Sequence, residues 1–291
     1  MGSGSAAVHD GRVLQSQPDR LVLLEADGET VRKTFWDGEL AVREQHAIRE
    51  ADRLGLFREA LQSTPHASCP RPIDLVAEPD AYSVRMSLVR GLPLPLHLRT
   101  ARLEADLLAH LSSTLASALL VYVETFDEPY CDFHLRNMIY EPRTGVVSFL
   151  DFGMPNRPWS PADLAALSPL EISLGNLIGS SMFESLRPRC WFRLRQHRQA
   201  LALCWAVVER VSRLDHAAGA AGTGDVSADG VQRAAHLAFD RAAFTGAWYR
   251  QLWYRGMNAC VGLAGSRRGD RANAGHPDVA VDRRSEASDQ R

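Results

Sequence analysis

At 291 residues and 45% hydrophobic content, the chain is long enough for one large domain or two ordinary ones, each with a substantial core. A net charge of −2 excludes a global basic field, so bulk attraction to nucleic acid or anionic membrane is not predicted, and any anion site must be local. Five cysteines (Cys69, Cys131, Cys190, Cys204, Cys260) form none of the close pairs that zinc sites or disulfide scaffolds need, which fits a reducing, cytoplasmic setting.

The opening Met1-Gly2-Ser3-Gly4-Ser5 is small and polar and lacks the apolar core of a signal peptide, so 1–10 is expected to be a flexible leader. Leu21-Val22-Leu23-Leu24 is a short apolar run, Asp27-Gly28 is a hairpin turn signal, and Thr30 to Phe35 alternates with Val31, Lys33 and Phe35 on one face. Two antiparallel strands are predicted there. Glu39 to Leu61 is rich in Ala, Leu, Glu and Arg and reads as a helix. A loop marked by Pro65, Pro70 and Pro72 follows, and then Tyr82, Val84, Met86 and Leu88 alternate as a half-buried strand that ends at Gly91.

A helix is predicted from Leu103 to Phe126. Its uncharged stretch, Leu107 to Val123, is interrupted by His110, Ser112, Ser113, Thr114 and Ser117 and falls short of the roughly 20 apolar residues a bilayer requires, so a buried helix is expected, not a membrane span. From Tyr130 the pattern becomes loop, strand (Met138-Ile139-Tyr140), turn (Pro142 to Gly145) and strand (Val146 to Leu150). Helices dominate from Asp163, with a Gly/Ala/Asp-rich break between about His216 and Gly230, and 265–291 is polar and without periodicity, as in a disordered tail.

The chemistry concentrates in Cys131-Asp132-Phe133-His134-Leu135-Arg136-Asn137 and, after the hairpin, Phe149-Leu150-Asp151-Phe152-Gly153. Phosphoryl transfer needs a carboxylate to orient or deprotonate the attacking hydroxyl, oxygen ligands for magnesium, and a cation on the phosphates. Asp132 suits the first role, and Asn137 and Asp151 the second. Each piece alone is weak, since Asp-Phe-Gly also occurs as an ordinary strand-end turn; it is their order and the hairpin between them that give the pattern weight.

This segment resembles the catalytic loop and metal-binding triplet of the protein-kinase-like superfamily, with the same five-residue step from Asp132 to Asn137. His134, two places after the aspartate, is similar to the small atypical branches: aminoglycoside-type phosphotransferases, lipopolysaccharide-core kinases and RIO-type kinases. The resemblance implies an α+β, bilobal protein-kinase-like fold, with a small β-rich N-terminal lobe over 11–90 and a mostly helical C-terminal lobe over 91–264. It also implies ATP and Mg2+ as cofactors, with Asp132, His134 and Asn137 in the catalytic set.

Lys33 resembles the superfamily lysine that holds the nucleotide phosphates; a solvated strand lysine is the alternative, disfavoured by Val31 and Phe35 on its face. Glu50 resembles that lysine's helix partner, and Glu44 is its rival. Met86 to Val89, ending at Gly91, resembles the hinge strand that joins the lobes and contacts adenine through its backbone, with Met86, Ser87 and Leu88 as the contacting residues, although the acidic residue usual after the methionine is Ser87 here. Two departures stand out: Gly11 to Leu21 lacks clustered glycines, and Tyr130-Cys131 precedes Asp132 in place of the usual His-Gly or His-Arg.

Pro161-Ala162-Asp163 resembles a helix start whose aspartate braces the catalytic loop in aminoglycoside-type enzymes, or is simply a helix cap. Ser168-Pro169-Leu170-Glu171 is a fainter echo of the end of a protein kinase's activation segment. Arg187, Arg189, Arg193, Arg195, His197 and Arg198 form a basic cluster, and Trp248, Tyr249, Trp253 and Tyr254 recur at helical spacing. The expected partner is a small-molecule hydroxyl compound, antibiotic- or sugar-like. The alternatives are a peptide or protein acceptor, or a pseudokinase that binds nucleotide without turnover.

Overall fold

Apolar periodicity and hairpin turns account for the first lobe. In the computed structural model, which describes residues 11–16, 20–36, 39–152, 159–185, 194–217 and 226–243, three antiparallel strands open the fold. These are β1 (Arg12–Ser16), β2 (Arg20–Leu24) and β3 (Thr30–Phe35). The β2–β3 turn is closed by Asp27, whose carboxylate accepts from the amides of Glu29 and Thr30, while Gly28 supplies a positive φ of 69°. After helix α1 (Leu40–Ala60) come β4 (Ala67–Ser68), β5 (Pro72–Glu78) and β6 (Ala81–Ser87), and the main sheet runs β1-β2-β3-β6-β5, antiparallel throughout.

Three of these strands differ from the prediction: β4 is a two-residue piece within the expected loop, and β1 and β5 are sheet edges. β1 is exposed along its whole length and β5 along most of it, so neither carries the period-two burial that marks a strand in sequence. The predicted strand at Tyr82 stops at Ser87 and does not reach Gly91, because the Ser87 and Leu88 amides turn to the carbonyls of Arg71 and Glu29. Helix α1 lies against β5 and β6 through a stripe of Ala47, Glu50, Leu54 and Phe57 at helical spacing.

The second lobe begins with β7 (Leu92–Pro93), α2 (Leu94–Thr100) and α3 (Ala105–Phe126). By length and hydropathy α3 is capable of crossing a bilayer, but half of that window is buried by protein, and the helix packs on α1 and on the later helices α5 (Pro169–Ser185) and α6 (Leu194–Ala217). A hairpin of β8 (Met138–Glu141) and β9 (Val146–Phe149) joins β4 and β7 in a small second sheet. α4 (Pro161–Ala166) precedes α5, and α7 (Ala228–Ala243) packs closely on α5.

The architecture is therefore α+β and two-lobed, β-rich first and helical second, as the protein-kinase-like expectation requires. Ser168-Pro169-Leu170-Glu171 proves to be the start of α5. The Ser168 hydroxyl accepts from the Glu171 amide at 3.2 Å and the Glu171 carboxylate accepts from the Ser168 amide at 2.9 Å, a reciprocal capping box in place of an activation-segment echo. The 1–10 leader, the 265–291 tail, Gly153, Arg187, Arg189, Arg193 and the Trp248 to Tyr254 aromatics lie outside the described residues, as do the side chains of Asp163 and Arg195.

Candidate active site

The β8–β9 register brings the two halves of the motif together. Met138 pairs with Phe149, so the residues just beyond each strand, Asn137 and Leu150, meet, and the Leu150 amide donates to the Asn137 carbonyl at 2.8 Å. Asp151 follows at φ 62°, a left-handed conformation disfavoured for a residue with a Cβ, and such strain concentrates at functional positions. The loop before β8 is drawn tight by Phe133 N–H to the Tyr130 carbonyl and Asn137 N–H to the His134 carbonyl. The Asn137 carboxamide nitrogen donates to the Asp132 carbonyl at 3.3 Å.

From the first lobe, Lys33 crosses to this hairpin. Its Nζ lies 2.9 Å from Glu50 Oε1 and 2.8 Å from Asp151 Oδ1, and Lys33 and Glu50 are both buried. Burial on its own would pull the lysine's pKa down; Asp151 and Glu50 outweigh it, and the net direction is up. Burial pushes the Glu50 carboxyl up, against the opposing pull of Lys33. Between Glu50 and Glu44 the geometry is unambiguous: Glu50 interrupts the buried stripe of α1 opposite Lys33, whereas Glu44 is exposed.

Asp151 also receives Arg20, whose Nη1 is 3.1 Å from Oδ2 and 3.4 Å from Oδ1. Burial of Asp151 works against its charge, but Lys33 and Arg20 win and hold the carboxyl down to about 2. Asp132 behaves in the opposite way: burial, then the Asp151 charge, push it up to about 7. The two carboxyls thus share one electrostatic environment with divided protonation, the pattern expected of a proton acceptor beside a permanent anion. Burial, then Arg136, push His134 down to about 4, so its imidazole is neutral, and its buried Nδ1 has no hydrogen-bond partner among the described residues.

These groups close one end of a cleft of about 310 Å3 between the lobes. Lys33, Glu50, Arg20, Asn137 and Asp151 line its polar end, and Leu14, Val22, Val31, Met86, Leu88 and Ile139 give it apolar walls. Asp132 lies beside the cleft and is not among its lining residues. In the hinge, the Ser87 and Leu88 amides are engaged by the carbonyls of Arg71 and Glu29, and Ser87, Leu88 and Val89 all line the cleft.

Sequence reasoning also missed what braces the loop. In place of the expected residue pair before Asp132, the Tyr130 ring stacks on Phe152 and Tyr122, its hydroxyl donates to the Leu150 carbonyl at 2.7 Å, and its amide donates to the Ser173 hydroxyl at 2.9 Å. Asn176, one turn along α5, donates to the Cys131 carbonyl at 2.6 Å. Both α5 residues face the loop because Ser173 and Asn176 are three apart on one helix face.

An ionised carboxylate and a carboxamide oxygen are the donors a hard divalent cation prefers, and magnesium commonly takes one or two such groups and completes its shell with phosphate and water. Asp151 and Asn137 therefore suit magnesium, and the apolar walls suit a planar base.

No protein-family model matches the chain, and no curated protein matches it. Among solved structures, the chain is similar to the kinase domain of PknI from Mycobacterium tuberculosis, at 15% identity and a TM-score of 0.42, over 68% of this chain and 93% of that one.

Proposed function

We propose that this chain is an ATP- and magnesium-dependent phosphotransferase acting on a hydroxyl of a small molecule. The observation that carries the proposal is Lys33 Nζ, which bridges a carboxylate from α1 and a carboxylate from the β9 end at the polar mouth of an apolar slot. A buried lysine with two anions is costly to build as mere structure. As a phosphate site it makes sense, since Glu50 fixes the lysine while Asp151 stays ionised beside it.

In the proposed mechanism, base and ribose occupy the slot beside the hinge. Lys33 would hold the phosphates, and Asn137 and Asp151 would hold a magnesium ion, which would supply charge neutralisation to the transferring phosphoryl group. Asp132 orients the acceptor hydroxyl and takes its proton as the oxygen bonds to the γ-phosphorus and the bond to the bridging oxygen of ADP breaks. An acceptor group with apparent pKa near 7 is matched to that task at neutral pH. His134 stays neutral beside these groups.

A small acceptor is favoured by chain economy: α4 begins at Pro161, so 153–160 is all that separates Phe152 from the next helix, too little for a peptide-binding activation segment. Asp132→Ala is expected to lower transfer to a hydroxyl acceptor by about 100-fold or more, with nucleotide binding retained. Radiolabelled ATP offered with and without candidate hydroxyl compounds measures this. Undiminished turnover in the variant rejects the role of Asp132.

A further inference from the structure

We propose that Arg53 and Glu128 are a positioning pair that holds α1 against the second lobe and so keeps Glu50 on Lys33. The inference rests on the phosphotransferase proposal and concerns how that same site is assembled. Arg53 sits on α1 three residues after Glu50, about 4.5 Å further along the helix axis. Its side chain is 13% exposed and reaches across to the second lobe. There Nη2 pairs with Glu128 Oε1, Nη1 donates to the Tyr122 hydroxyl at 2.5 Å, and the guanidinium lies over the Phe126 ring at 5.1 Å. Arg49, one turn earlier, makes a looser pair with the same carboxylate at 3.3 Å.

Glu128 and Tyr122 both lead to the catalytic loop. Helix α3 ends at Asp127, whose φ of 50° turns the chain, and Glu128 follows, four residues before Asp132. The Tyr122 ring stacks on Tyr130 at 4.4 Å and on Phe152 at 6.1 Å, residues that lie two before Asp132 and one after Asp151. Burial pushes the Tyr122 phenol up to about 12, so it meets the guanidinium as a neutral oxygen, and Glu128 supplies the negative charge. One arginine on α1 thus bears on both halves of the motif.

Towards the first lobe, α1 is held by the apolar side chains of Ala47, Leu54 and Phe57, and apolar burial is non-directional, whereas a charge-assisted pair fixes geometry. Glu50 and Arg53 share one turn of helix, so a displacement of α1 that takes Glu50 off Lys33 also pulls Arg53 from Glu128. Removing Glu128 has a second effect. A largely buried guanidinium loses its carboxylate, which is unfavourable, and Glu50, three positions back on the same helix, lies within its electrostatic reach. Arg53 then competes with Lys33 for Glu50.

The test is equilibrium titration of the full chain, in magnesium, with adenosine and with ATP, for the wild type, Glu128→Ala, Glu50→Gln and the double variant. Glu128→Ala is expected to weaken ATP about 10-fold, a size ordinary for coupling between separate positions. Adenosine should be unchanged, because the apolar walls at Val22, Val31, Met86 and Ile139 do not belong to α1. In the double variant the ATP loss should equal that of Glu50→Gln alone, since Glu128 acts through a carboxylate already absent. Losses that add, equal weakening of adenosine and ATP, or unweakened ATP overturn the assignment and leave the phosphotransferase proposal standing. A wild type that binds neither ligand overturns both. Melting curves confirm that each variant is folded, and Glu128→Gln, which keeps the shape and removes the charge, carries the same comparison should the alanine chain fail to fold.

Discussion

Asp132 keeps its proton to about pH 7 in the folded chain, against 3.8 for an ordinary aspartate, first because burial disfavours its charge and then because Asp151 repels it. Between those values the folded state binds more protons than the unfolded one, so this group makes stability fall as pH rises from about 4 to about 7. Asp151 has the opposite sign: held at about 2, it contributes stability that is lost as pH falls from 3.8 toward 2. Asp132→Asn removes the first effect. The variant is expected to melt several degrees above the wild type at pH 8, with the gap closing toward pH 4, and melting curves across that range check it. A gap of constant size would show that the Asp132 carboxyl is not the titrating group. Activity should move oppositely, rising in the wild type as Asp132 ionises.

The elements that position this site are held by close approach as much as by burial. On α5, Gly179 faces α7 so tightly that a Cβ would stand 2.6 Å from the Ala235 carbonyl oxygen and 2.9 Å from the Phe239 amide. Those neighbours are backbone and cannot swing aside. Gly179→Val is therefore expected to cost about 1–3 kcal/mol, read from denaturant midpoints, and to loosen α5, whose Ser173 and Asn176 brace the catalytic loop. Helix α1 was legible as an element, but the choice of Glu50 over Glu44 came from the fold, which sets Glu50 in the buried stripe against Lys33 and leaves Glu44 exposed. The edge strands β1 and β5 were illegible even as elements: their side chains meet solvent on both faces, and only hydrogen bonds to β2 and β6 make them strands.

Across the whole molecule, Asp151 belongs to the second lobe while Lys33 and Arg20 belong to the first, so the ion pairs at the cleft are also ties between lobes. A ligand that fills the cleft and exchanges those pairs for its own should stabilise both lobes at once. Magnesium ATP at about 100 times its dissociation constant is expected to add about 2.7 kcal/mol. It should appear as a single shifted melting transition that returns to the starting value when EDTA removes the metal. No shift at saturating nucleotide would count against a nucleotide site between the lobes.

The order and spacing of Asp132, Asn137 and Asp151, the hairpin between them and the buried faces of β3, α1 and α3 were all determined within the sequence, because each depends on near neighbours along the chain and on local periodicity. Which carboxylate meets Lys33, what braces the loop and where Arg20 reaches were decided only by the tertiary structure. These are contacts between residues tens to more than a hundred positions apart, and no local pattern encodes the distance across a cleft.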